Sequence, residues 1–371
     1  METMGIIFSN IYDSNMGALT ELRTSASIPV GGRYRQIDFI LSNMTNSGLR
    51  HIGIVTKYNY QSLMDHLGSC QEWDLQLNTD GVVFLPPYST GHTGIYRGKL
   101  EALQTALPVL EDATQDYVIL ADSNAMAAVN FRKVLMSHVE SGCDITVVAK
   151  AGICNGEEVV PFALRTDENG RAVSMGVNYA APEGDMAGMG MFVISRKRLI
   201  EAIHETVPHG KYHLERDYIM DEANHGNLTV NVYEFKGQVL FNKSVETYYK
   251  NNLALLDPKV QEGLFDGEVP IYTKVRDEVP TRYGKKAELA NCVVADGCRL
   301  DGKLENTVVF REVKVQEGAE VRDSIVMQGC VIETGASIQY TILDKNVTVK
   351  SGTKLLGSPE HPLVIRKGVT V

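Results

Sequence analysis

Nowhere in its 371 residues does the sequence approach the roughly 18 to 20 consecutive apolar residues of a membrane span, so no membrane association is expected. Its start, Met-Glu-Thr-Met-Gly-Ile-Ile-Phe-Ser, lacks the basic stretch and small-residue cleavage site of an export signal, and a cytoplasmic location is the expectation. The six cysteines, at 70, 143, 154, 292, 298 and 330, include no Cys-x-x-Cys pair. That argues against a disulfide framework and for reduced, mostly buried thiols. Positive charge is not in excess either: 36 Lys and Arg stand against 46 Asp and Glu, for a formal net charge of -10 and a pI near 5.5. Such a chain repels a phosphate backbone, so nucleic acid is not expected as a partner. What is present is a 44% hydrophobic composition, enough to fill a core, over a length that suits two domains.

From Gly5 to about Ala149, short β-branched runs alternate with stretches of helical period, the pattern of an α/β domain around a mainly parallel sheet. Strands are expected at Gly5–Ser9, His51–Lys57, Val82–Leu85, Asp116–Asp122 and Asp144–Lys150. Helices are expected at Gln36–Asn46, Tyr60–Leu67, Lys99–Val109 and Phe131–Glu140. Asn169-Gly170 then marks a hairpin turn, followed by helices at Arg196–His204 and Tyr212–His225, a strand at Leu228–Phe235 and a helix at Tyr248–Leu256 that Asp257-Pro258 stops. The first domain is therefore placed at 1–257, a linker rich in proline and charge at 258–287, and a second domain at 288–371.

The second domain is repetitive. Gly318, Gly335 and Gly352 recur at a spacing of 17, as do Val315, Ile332 and Val349, and Val321, Ile338 and Leu355. An aliphatic residue every sixth position with Gly-Ala near a corner is a hexapeptide signature, and it predicts a parallel β-helix in which stacked coils share one apolar column. Asn291-Cys-Val-Val, Asn306-Thr-Val-Val, Asp323-Ser-Ile-Val and Tyr340-Thr-Ile-Leu recur at 15, 17 and 17, so the first coil is irregular.

After the first strand, where a doubly wound domain cradles phosphate, the sequence reads Ser9-Asn-Ile-Tyr-Asp-Ser-Asn-Met-Gly17, which is not a glycine-rich loop. Further on, Pro29-Val-Gly-Gly-Arg-Tyr-Arg-Gln-Ile-Asp-Phe39, Leu41-Ser-Asn43, Asn46-Ser-Gly48, Tyr96-Arg-Gly98 and Ala187-Gly-Met-Gly190 resemble the motifs of glucose-1-phosphate adenylyltransferases, in the same order and over almost the whole chain. That family makes ADP-glucose and pyrophosphate from ATP and glucose 1-phosphate. The resemblance implies a Rossmann-like nucleotidyltransferase domain followed by a left-handed β-helix, and a cleft to which Tyr96, Arg97, Gly98, Asp122, Gly188, Met189 and Asp217 contribute.

The departures carry the functional argument. The family's phosphate loop ends in an Arg where this chain has Asn15, and its Lys-Pro pair is replaced by Ser25-Ala26. The two carboxylates that the family uses for Mg²⁺ correspond to Ser123 and Phe241, with Asp122 one residue early and expected on the opposite face of the strand. Val177 to Pro182 stands where the family's sugar-phosphate motif belongs. No catalytic residue and no metal site are expected in this chain, because the electrostatic machinery of phosphoryl chemistry is missing. The pattern resembles the GlgD-type auxiliary subunits of the family, which accompany an active chain that carries the Mg²⁺. That implies a hetero-oligomer, by family expectation a tetramer. The alternative is a self-sufficient nucleotidyltransferase using a divergent site.

Arg23, Arg33 and Arg35 match positions that bind a phosphorylated effector or phosphate in regulated relatives, with Arg366 and Lys367 closing such a site; the other reading is that Arg35 pairs with Asp38 or another carboxylate. A hexapeptide acyltransferase is disfavoured because no histidine lies within 288–356. His204, His209 and His213 are separated by Pro208-His-Gly and form no shared metal-binding face. Trp73 and Tyr58 to Tyr60 read as packing residues or as a lining of the cleft.

Overall fold

The structure, a computed structural model, describes residues 2–11, 13–76, 80–87 and 96–371. Met1, at the start weighed above against an export signal, and Tyr12, in the loop after the first strand, lie outside the described residues.

The β-branched runs form a nine-stranded sheet with Thr3–Phe8 near its centre. His51–Val55 and then Gly81–Leu85 extend it in parallel on one side, and Tyr117–Asp122 joins in parallel on the other. Because the order reverses at Thr3–Phe8, the chain leaves the carboxyl ends of Phe8 and Asp122 in opposite directions, which opens a crevice there. The sheet is not wholly parallel. Met186–Ser195, unread as a strand because its glycines mask the pattern, runs antiparallel to both Tyr117–Asp122 and Ile145–Lys150. The predicted hairpin joins Val159–Thr166 to Ala172–Ala180, and Val230–Glu234 closes the far edge beside Ile145–Lys150.

Helices cover both faces. Gln36–Asn46 and Phe131–Ser141 pack on one apolar layer with Ile7, Ile54, Ile119 and Val193; Lys99–Leu103 and Arg196–Thr206 pack on the other with Ile6, Leu120, Phe192 and Ile194. The helix expected over Lys99–Val109 is broken into Lys99–Leu103 and Leu107–Asp112 by a tight turn ahead of Pro108, which lacks the N–H needed to continue a helix but suits its first turn.

The segment 258–287 differs from the linker expected of it. Asp257 accepts a hydrogen bond from the Lys259 N–H and Pro258 opens a helix, Pro258–Phe265; the same dipeptide that ends one helix begins the next. Leu264 is buried, Phe265 stacks on Tyr34 at 4.9 Å, and the Tyr272 N–H donates to Ser42 Oγ at 2.8 Å. Arg282–Tyr283 already pairs with Arg299–Leu300, so the first edge of the repeat lies inside this segment.

The second domain is a parallel β-helix with the register of the sequence repeat: Glu288 pairs with Lys303, Lys303 with Glu320, Glu320 with Ser337 and Ser337 with Lys354. Leu300, Val315, Ile332 and Val349 form one interior column, and Cys298, Val313, Cys330 and Val347 another. Five of the six cysteines are buried free thiols and Cys292 is half-buried; burial pushes the Cys330 thiol up to about 12. Asn291, Asn306, Asp323 and Tyr340 all have positive φ, from 44° to 51°, so each marks the same left-handed corner. Asn291 donates to Asn306 Oδ1 at 2.8 Å and Asn306 to Asp323 Oδ1 at 3.1 Å, a ladder that offsets the steric cost of that conformation.

The doubled aliphatics after that corner have two destinations. Val309, Val326 and Leu343 point into the β-helix, whereas Val308, Ile325 and Ile342 point outward and are buried against Met16, Leu19, Ile28, Phe39 and Tyr248 of the first domain. The Tyr248 hydroxyl donates to Pro29 O at 2.7 Å beneath this seam. Arg23 crosses it to Asp344 at 2.8 and 3.0 Å.

Candidate functional site

The crevice at the carboxyl ends of Thr3–Phe8, His51–Val55 and Tyr117–Asp122 is a cavity of about 480 Å³. Arg97, Gly98, Asp122, Gly188 and Met189 line it, as do Tyr58, Lys57, Lys99, His213, Glu215 and Lys243. Two residues assigned to it stand elsewhere. Tyr96 is buried in the hydrophobic layer under the sheet, with its hydroxyl 3.4 Å from Thr105 Oγ1. Asp217 folds back over the start of the π-helical turn Leu214–Met220 and accepts from the Tyr212 and His213 N–H groups at 2.8 and 2.9 Å. Burial alone would raise its carboxyl, but bonds from Arg216 and those two N–H groups outweigh it and hold it at about 2. Trp73 is core, its indole N–H on Ser42 Oγ.

In the loop after the first strand, the Asp13 carboxylate ties the loop to Ser25. Asp13 accepts from Asn10 Nδ2 at 2.6 Å and from the Ser25 N–H at 2.9 Å, while the Ser25 hydroxyl donates to Ile11 O at 2.7 Å. A side-chain carboxylate thus takes the backbone donor of Ser25. Burial raises the Asp13 carboxyl against the opposing pull of those bonds. Asn15 is exposed on the outer side of the loop.

At the carboxyl end of the central strand, the sequence expectation for Asp122 is corrected. Asp122 faces the crevice on the same face as Leu120, and Ser123 is buried away from it with its hydroxyl unpartnered. Phe241 lies in the short strand Val239–Phe241, where it pairs with Ala125, two residues beyond Ser123, and lines the crevice that Ser123 does not reach. The Asp122 carboxylate needs Gly190: a Cβ there would sit 2.3 Å from Asp122 Oδ2, and Gly190 has φ +68°. Gly98 is required for a similar reason, since its Cβ would fall 2.2 Å from Tyr212 O.

Asp122 Oδ2 accepts from Lys99 Nζ at 2.8 Å, and the same ammonium donates to Glu215 Oε1. Burial opposes a charged lysine, but the two carboxylates outweigh it and hold Lys99 protonated beyond its ordinary range; burial pushes the Asp122 carboxyl up. Neither Lys99 nor Glu215 was legible as a site residue, because they reach Asp122 from a helix start and a distant turn. Lys99 engages one oxygen of each carboxylate, Asp122 Oδ2 and Glu215 Oε1, and its ammonium fills the space between them. Asp122 Oδ1 has no hydrogen-bond partner, but with a cation already seated there and no anionic oxygen from Ser123 or Phe241 these residues do not fit a Mg²⁺ ion.

A second polar site lies between the domains. Arg33 and Arg35 meet Lys274 and Arg276 from segment 258–287 and Arg311 and Lys345 from the β-helix, around His66. Arg35 donates to Ser62 O and Oγ at 2.7 and 2.8 Å; only its backbone N–H reaches Asp38. Arg311 is 7% exposed and its Nε has no hydrogen-bond partner. Burial, then Arg35 and Arg23, lower Lys345 to about 7. Arg23, expected here, binds Asp344 through Nη2 and does not line this site, although its charge is felt at Lys345 and its buried Nη1 has no hydrogen-bond partner. Arg366 pairs with Glu21 at 3.0 Å, and Arg366 and Lys367 are exposed outside this cluster.

Comparison with known proteins agrees with this geometry. The family described as "Nucleotidyl transferase" matches residues 14–233, and "GlmU-like, C-terminal hexapeptide" matches 277–361. The glycogen biosynthesis protein GlgD of Bacillus subtilis (strain 168) is 33% identical over 368 residues, covering 99% of this chain and 96% of its own length. The chain belongs to the GlgD and glucose-1-phosphate adenylyltransferase family. GlgD of Geobacillus stearothermophilus is 35% identical over 98% of this chain and 96% of its own. The glucose-1-phosphate adenylyltransferase of Clostridium perfringens (strain SM101 / Type A) is 27% identical over 100% of this chain and 96% of its own. Family membership accounts for the two-domain fold and for the crevice. No helix among the described residues is long and apolar enough to cross a membrane.

Proposed function

We propose that this chain is an auxiliary, regulatory subunit of glucose-1-phosphate adenylyltransferase in glycogen biosynthesis, assembling with catalytic chains into a hetero-oligomer, by family expectation a tetramer. The observation that carries this reading is the floor of the crevice. The nucleotidyltransferase frame surrounds a loop whose Asp13 carboxylate is bonded to Asn10 and Ser25, Ser123 and Phe241 in place of metal ligands, and two carboxylates that share the Lys99 ammonium. Lys57, Arg97 and Lys243 line the crevice and can face phosphate, but without a metal to offset charge on the attacking and leaving groups, electrostatic stabilisation of phosphoryl transfer is weakened. Mg²⁺ chemistry belongs, on this reading, to the catalytic partner.

Co-expression with a full-motif paralogue, size-exclusion chromatography and a rate comparison test it. The two chains are expected to co-elute and the paralogue's rate or effector response to change. Alone, this chain is expected to release little or no pyrophosphate from ATP, glucose 1-phosphate and Mg²⁺. Separate elution at micromolar concentration with unchanged kinetics overturns the proposal, and robust activity alone returns the self-sufficient enzyme.

The interdomain cluster supports a regulatory role, since six cations converge on a small space and the buried Arg311 Nε has a donor to spare. Sulfate or a phosphorylated metabolite is expected to bind there. Arg35→Ala or Arg311→Ala is expected to weaken sulfate binding by about 1.5 to 3 kcal/mol, roughly 10- to 150-fold, measured by titration calorimetry. The folded Lys345 titrates below its ordinary value, so protonating it costs the unliganded fold stability as pH falls towards 7. A bound dianion opposes that shift and favours the protonated amine. Sulfate, whose charge is constant over this range, is expected to bind more tightly as pH falls from 8.5 to 6.5 and to take up a proton at pH 8; a flat profile in wild type and Lys345→Met alike contradicts it.

A further inference from the structure

Lys99, Asp122 and Glu215 come from three separate elements: the first turn of Lys99–Leu103, the end of Tyr117–Asp122 and the turn Leu214–Met220. They converge in the crevice with side chains 11%, 8% and 19% exposed. One ammonium lies between two carboxylates from opposite walls, at 2.8 Å from Asp122 Oδ2 and in contact with Glu215 Oε1. Its other neighbours are the rings of Phe8 and Phe192, centred 5.7 and 5.4 Å from Nζ, which keep water away and favour a cation. This is the environment of a bound metal ion, filled by a side chain. A hard divalent cation needs anionic oxygens. Here it would have to displace an ammonium that is tethered at high effective concentration and already desolvated.

We propose that the Lys99 ammonium is a resident cation that takes the place of a divalent metal between Asp122 and Glu215, so that the crevice does not take up a divalent metal there. The inference rests on reading the crevice as the family's phosphate-transfer site. It is tested by metal binding, whereas the auxiliary-subunit reading is tested by co-assembly, so either can fail alone. Removing Lys99 leaves the two carboxylates unpaired, Asp122 Oδ1 having no hydrogen-bond partner even now. The neutral variant therefore gains a cation site.

The test is electron paramagnetic resonance of Mn²⁺ titrated into the full chain at pH 8. Wild type and Lys99→Arg are expected to show only weak binding that Asp122→Asn does not change. Lys99→Ala is expected to bind Mn²⁺ at least tenfold more tightly than wild type, and Lys99→Ala with Asp122→Asn to lose that gain. Lys99→Gln serves if the alanine variant does not fold, as judged by circular dichroism. Wild-type binding that Asp122→Asn abolishes overturns the proposal, whatever the variants do. So does a folded Lys99→Ala or Lys99→Gln that binds Mn²⁺ no better than wild type.

Discussion

Arg23→Ala is expected to destabilise the protein by about 3 to 5 kcal/mol, because it leaves Asp344 as a buried carboxylate without its partner. The pair is 3% and 2% exposed, and one guanidinium nitrogen reaches both Asp344 oxygens at 2.8 and 3.0 Å. Arg23 belongs to the first domain and Asp344 to the β-helix, so the loss falls on the seam that joins them. A chemical denaturation curve followed by tryptophan fluorescence, which reports Trp73 in the first domain, and by far-ultraviolet dichroism is the measurement. Arg23→Met with Asp344→Leu is expected to recover most of the loss, since removing both charges removes the desolvation cost as well as the attraction. A midpoint in Arg23→Ala equal to wild type would show that water reaches Asp344 and that the pair contributes little.

Gly190→Ala is expected to cost about 2 to 5 kcal/mol, the sum of a left-handed residue with a side chain, about 1 to 2 kcal/mol, and overpacking, about 1 to 3 kcal/mol. Its Cβ would stand 2.3 Å from Asp122 Oδ2 and 2.7 Å from its carboxyl carbon, so either the strand or the Asp122–Lys99 bond must give way. Gly142→Ala is the control: its φ is +64°, and nothing lies within 4 Å of the added carbon. The difference between the two melting shifts isolates the crowding at Asp122. Equal shifts would mean that the Asp122 carboxylate moves aside freely, which is at odds with its burial.

Local rules made much of the architecture readable. A helix is encoded by neighbours three and four residues apart and a β-helix by a short repeat, so Gln36–Asn46 and the 15-, 17- and 17-residue registers appear in the structure as they do in the sequence. Met186–Ser195 was missed because Gly188 and Gly190 interrupt its pattern; those glycines are there to admit Phe162 and the Asp122 carboxylate, a requirement set by other strands. Segment 258–287 looked like a tether because proline and charge suit one, yet Lys274 and Arg276 are placed by it beside Arg35 and Lys345.

The site divides in the same way. The motifs establish the family frame, and residue order alone sets the expectations of a lost glycine-rich loop and of Ser123 and Phe241 at the ligand positions, since each is a matter of which residue follows which. Only the tertiary structure decided that Asp122 faces the crevice, that Asp217 is spent on two backbone N–H groups, that Arg23 serves Asp344 and that Lys99 bridges Asp122 to Glu215. The reason is electrostatic. A buried charge is placed by whichever opposite charge can reach it, and the partners here are separated by 23 residues from Lys99 to Asp122, 116 from Lys99 to Glu215 and 321 from Arg23 to Asp344, distances over which sequence spacing carries no geometry until the chain has folded.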